Sequence, residues 1–133
     1  MEPGTNGSIL GTPLIAVVDG EIIHSGSGTS QGYYVSVRST LRDPATNNFL
    51  IFTYMHMRAR STASGSVKKG DRIGFVGNTG ATTSLAHLHF EISNSGAVWS
   101  PAGTDRITRR INPVFFYPAG SFRGNTTIWN EVR

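Results

Sequence analysis

No window of the chain keeps apolar residues at three- and four-residue spacing without a Gly, a Pro or a β-branched residue interrupting it. An amphipathic helix needs that spacing over several turns, so long helices are excluded. What remains is a set of short β-branched and aromatic runs separated by turn chemistry. "GYYVSVRST" alternates, with Tyr33, Val35 and Val37 on one face and Tyr34, Ser36 and Arg38 on the other. "DPATNN" at 43–48 is a turn by its Asp, Pro and Asn content, and the strand "FLIFTYMHM" follows it. "PLIAVVDGEIIHSG" has two β-branched runs around Asp19-Gly20, which predicts a hairpin there. "VKKGDRIGFVGNTG" reads as short strands with tight bends at its glycines. It lacks both the Gly-Lys-Ser/Thr ending and the following helix of a phosphate-binding loop. The expectation is an all-β chain, one antiparallel sheet with irregular loops.

Composition narrows the function. A chain of 133 residues is one domain by the usual size prior, and 16 glycines with only 15% charged residues suit a turn-rich β fold. There is no Cys, which excludes a disulfide frame, a thiolate metal site and a thiol nucleophile. The net charge of +4 suits a polyanionic partner such as an anionic wall polymer. The one dense basic run, 106–110, is too short to argue for nucleic acid. No stretch approaches the ~20 apolar residues of a membrane span. "MEPGTNGS" has neither the basic nor the apolar region of a signal peptide, so work outside a cell would require delivery by another segment, a virion or lysis. Residues 1–10 read as a lead-in, 11–118 as the core and 119–133 as a C-terminal extension. Within that core "NSGAVWSPAGTDRITRRINP" reads as mostly loop, and "PVFFYP" as a short apolar cover.

The chemistry rests on histidines. In "HLHFEIS", His87 and His89 lie two apart on a strand and share a face, with Leu88 and Phe90 on the opposite, dry face. Imidazole is the commonest metal ligand, and its pKa also suits proton transfer. By spacing alone, two surface histidines on a solvated face are the better reading, because a bare HxH is a weak motif. His56 shares a strand face with Tyr54 and Phe52, and His24 sits at a strand end, in solvent.

Taken in order, "GTPLIAVVDGEII", "GYYVSVRS", "FTYMHM", "SVKKGDRIGFVGNTG" and "HLHFEI" resemble the lysostaphin-type (LytM-like) zinc metallopeptidases. The resemblance covers about residues 11 to 118. It implies an open antiparallel sheet forming a narrow groove, in which zinc-dependent attack of water cleaves peptide cross-links of the bacterial cell wall. By the same resemblance His89 is a zinc ligand, while His87 and His56 are the catalytic histidines that move protons or steady the oxyanion.

Two departures bear on activity. The family's first zinc motif, HxxxD, lies about ten residues before the "GTP" at 11–13, and "MEPGTNGSIL" holds no His and no Asp. Glu2 and Asn6 are the nearest echo, and Asn6 is a poor ligand. Further on, "ATTSLA" replaces the tighter approach usual before the HxH pair, with Ala86 where proline is common. Three readings follow. The domain is a degenerate module that binds peptidoglycan or serves structurally in an envelope or phage particle. Alternatively the missing ligands come from upstream or from another chain, and the domain is a zinc endopeptidase. Or the metal is held by an altered set, His56, His87 and His89 together. An assembly domain in a virion or secretion complex, with a protein partner filling the groove, is a further alternative. Peptidoglycan peptides or anionic wall polymer are the expected ligands, and the cell envelope, the extracellular space or a virion the expected place of work.

Overall fold

The computed structural model describes residues 9–80 and 86–94, with the backbone of 110–111. Eight strands run through them: β1 (Pro13–Ile15), β2 (Gly20–Gly28), β3 (Gly32–Arg42), β4 (Phe49–Met57), β5 (Ser66–Val67), β6 (Arg72–Phe75), β7 (His89–Ser93) and β8 (Arg110–Ile111). No helix occurs among the described residues. Six strands form one sheet in the order β5-β2-β3-β4-β7-β8, and β1 with β6 adds a two-stranded ribbon. Every strand pairing is antiparallel.

The predicted alternation of β3 is realised. Val35 and Val37 lie in the main core with Tyr33 against it, whereas Tyr34 joins Ile51 and Met55 in a second cluster on the other face. β4 runs between β3 and β7 and is buried from Leu50 to Met57, which explains its nearly unbroken apolar sequence. Thr53, a polar residue of that strand, meets the Ser36 hydroxyl across the ladder at 2.8 Å, so each of these two buried hydroxyls has a partner. The 43–48 segment turns as its chemistry predicts: the Asp43 carboxylate accepts the Ala45 N–H at 3.1 Å, and Asn47 adopts φ 61°. Asn94, just past β7, donates to the same carboxylate at 2.8 Å and ties this turn to the neighbouring strand.

The hairpin expected at Asp19-Gly20 does not form. β1 pairs with β6, while β2 pairs with β3 and β5. A two-residue hairpin turn of the Asp-Gly kind needs positive φ at the glycine, but Gly20 is the extended first residue of β2. Asp19 instead accepts the Lys69 N–H at 2.7 Å, so the dipeptide carries the chain from the ribbon into the main sheet. The stretch expected to be mostly loop after residue 94 contributes β8, which pairs with β7 at Arg110–Ile111. Residues 1–8 of the lead-in, the 81–85 approach to the HxH pair, "PVFFYP" and the extension 119–133 lie outside the described residues.

Candidate functional site

His89 opens β7 opposite Met55 of β4. His87, two residues earlier, makes a bridge to Gly77, its N–H donating to the Gly77 carbonyl at 3.1 Å. The pair therefore spans the junction between the main sheet and the segment leaving the β1–β6 ribbon. Phe90 faces the core as expected, its ring 5.2 Å from that of Tyr54 and 6.0 Å from that of Phe52. Leu88 departs from expectation and is 38% exposed. It precedes His89, the first residue of β7.

His56 reaches the site through a β-bulge. Between the pairs Val35–Tyr54 and Tyr33–Met57, β3 advances two residues while β4 advances three. The extra residue reverses the parity of β4. Regular alternation would send His56 into the core with Phe52 and Tyr54, as the sequence pattern predicts; instead Met57 takes the core position. His56 itself sits at φ 59°, left-handed backbone that non-glycine residues enter rarely and histidine more readily than most. Its N–H leaves the ladder and donates to the Gln31 carbonyl at 2.9 Å.

The bulge brings three imidazoles together. The His56 ring centre lies 4.7 Å from that of His87 and 5.7 Å from that of His89. His56 is buried, while the other two are partly open to solvent. Two rings are held by acceptors that fix which nitrogen carries the proton. The Nδ1 of His56 is 2.7 Å from the Thr79 carbonyl oxygen, which only accepts, so Nδ1 donates, and in the neutral ring the lone pair is on Nε2. The Nε2 of His89 is 2.9 Å from the buried Glu91 carboxylate, so Nδ1 is the nitrogen left for other chemistry. Glu91 is a neighbour of the site that the HxH reading passed over. The signal was present: His87, His89 and Glu91 follow the period of two that places strand residues on one face.

His24 is exposed, as expected, and its Nε2 lies 3.0 Å from the Tyr34 hydroxyl. Burial raises the Tyr34 pKa above its usual value, with the nearby Arg60 charge opposing the shift.

Residues 5–101 match the model of peptidase family M23. The chain belongs to peptidase family M23. This M23 chain is 37% identical over 91 residues to a DD-carboxypeptidase/endopeptidase, Mpg, of Neisseria meningitidis serogroup B, covering 68% of the chain and 19% of that protein. It thus spans about a fifth of the length of the curated relatives it matches. Among solved structures it resembles a zinc-containing peptidase from Vibrio cholerae, with TM-score 0.54 and 26% identity over 65% of the chain and 24% of that one. It also resembles the catalytic domain of lysostaphin from Staphylococcus simulans, with TM-score 0.59 and 25% identity over 80% of the chain and 71% of that one. The lysostaphin-like all-β fold is thereby established.

Membership of M23 implies zinc. His89 suits one ligand position, because a metal-binding imidazole usually donates its second N–H to a carboxylate or carbonyl, as His89 does to Glu91. Among the described residues no group of three His, Cys, Asp or Glu side chains is arranged to hold a metal. A complete centre therefore needs ligands from outside them.

Proposed function

We propose that this chain carries the histidine half of a zinc-dependent endopeptidase centre acting on peptide cross-links of bacterial peptidoglycan. The observation that carries the reading is the convergence of His56, His87 and His89, with His89 braced by Glu91. A bulge with a non-glycine residue at positive φ is a costly way to end a core strand, and such strain clusters at functional sites. The relatives named as peptidases support the reading.

In this reading His89 ligates zinc through Nδ1, and Glu2 is the candidate carboxylate ligand within the chain. Bound zinc would polarise the scissile carbonyl and lower the pKa of water at the site. The imidazoles act in its vicinity. His56, with its lone pair on Nε2, is set to accept a proton there. His87, more exposed and ring to ring with His56, is set to donate to the oxygen or the leaving amine as charge develops. The substrate peptide lies extended along the groove and adds backbone hydrogen bonds in the manner of an extra strand.

The purified chain titrated with zinc should bind one equivalent, and His89→Ala should abolish binding. With zinc supplied, purified peptidoglycan should release peptides bearing new amino termini, and the release should stop with a chelator. Zinc binding that survives His89→Ala, or zinc-loaded protein that releases no peptide, would overturn the reading.

A second reading has its own support: Glu2 and Asn6 stand where the resemblance puts the family's His and Asp ligands, and Asn6 is a poor ligand. It makes the chain a peptidoglycan-binding module on a degenerate centre. Its signature is pelleting with peptidoglycan in the presence of chelator, with no cleavage under any metal condition.

A further inference from the structure

Thr79 makes three hydrogen bonds at the end of the β3–β4 ladder, two to the β4 end that carries His56 and one to β3. Its hydroxyl donates to the Met57 carbonyl at 2.5 Å and accepts the Tyr33 N–H at 3.0 Å. Its own carbonyl accepts from His56 Nδ1 at 2.7 Å. The hydroxyl thus stitches together the last pair of the β3–β4 ladder, Tyr33 and Met57, on the far side of the bulge. The backbone around it is shaped for this approach. A Cβ at Gly32, which lies at φ 63°, would overlap Thr79, and one at Gly80 would stand 2.9 Å from His56 Nδ1. Both glycines therefore keep open the space that the clamp occupies.

We propose that Thr79 is the positioning residue of the site: it holds the bulge closed and selects the Nδ1–H tautomer of the neutral His56 ring. Its importance for turnover rests on the peptidase reading above; the tautomer it imposes does not. Neither hydroxyl bond touches the imidazole. Losing the hydroxyl frees Tyr33 N–H and Met57 C=O to seek water, and the carbonyl that orients the ring moves with the chain.

The test is nitrogen NMR of the His56 ring near neutral pH in the chain without substrate, in wild type, Thr79→Ser and Thr79→Val. Wild type and Thr79→Ser should show a protonated Nδ1 and an unprotonated Nε2. Thr79→Val should show a mixture of tautomers. Where zinc-dependent cleavage is measurable, kcat in Thr79→Val should fall about ten- to a hundred-fold. Thr79→Ser should restore it, and zinc affinity should stay within about two-fold, because Thr79 does not touch His89. An Nε2–H tautomer in the wild type overturns the proposal without any variant, so a misfolded Thr79→Val cannot shelter it. A single unchanged tautomer in folded Thr79→Val overturns it too. Absence of all cleavage in the wild type would defeat the peptidase reading and leave the spectroscopic result standing.

Discussion

His89 and Glu91 are the two residues whose chemistry is most tightly joined. A buried carboxylate is costly unless it is paired, and an imidazole N–H is one of its partners here. The bond sets the ring angle and makes the opposite nitrogen more basic toward a metal. Glu91→Gln keeps an acceptor of the same shape and removes the charge. Zinc affinity should then fall about ten- to a hundred-fold by titration calorimetry, with the fold preserved by circular dichroism. Unchanged affinity would mean that Glu91 serves packing alone. The sequence carries this pair openly, since residues two apart on a strand share a face. It does not carry the backbone angle of His56, because nothing in "FTYMHM" marks a left-handed residue.

At the scale of the element, β4 determines both the core and the site. Its core face packs Leu50, Phe52 and Tyr54 against Val35, Val37 and Ile92, and its opposite face packs Ile51 and Met55 against Tyr34. Phe52 is fully buried, and Phe52→Ala should destabilise the fold by about 3–5 kcal/mol, measured by urea denaturation. A loss below about 1 kcal/mol would show that the sheet collapses around the deletion, against the packing described for β4. The strand also shows where pattern reading stops. Alternation predicted that His56 would share the face of Phe52 and Tyr54, and one inserted residue reversed it. A bulge is fixed by the pairing of two strands, so one strand's sequence cannot disclose it. The Asp19-Gly20 hairpin failed similarly: turn propensity was present, but β1 found its partner in β6, more than fifty residues along the chain.

For the whole molecule, charge sets how it meets its target. Twelve Lys and Arg against eight Asp and Glu leave a net +4, and the Arg38–Glu21 ion pair, itself neutral, leaves that excess unchanged. Association with wall material bearing anionic polymer should weaken as salt rises from about 0.05 to 0.5 M, as screening shortens the reach of surface charge. Pelleting at graded salt measures this. Equal binding throughout, or equal binding to wall stripped of its anionic polymer, would place recognition in the groove alone. By itself the sequence determined the all-β class, the faces of β3, the turn at 43–48 and the identity of the three histidines. Those follow from local spacing and turn chemistry, which act within a few residues. Only the tertiary structure decided that β1 leaves the main sheet, that His56 turns away from the core, and that Thr79 holds its ring. Each depends on contacts between segments more than twenty residues apart, and no local pattern encodes which distant strand will supply the partner.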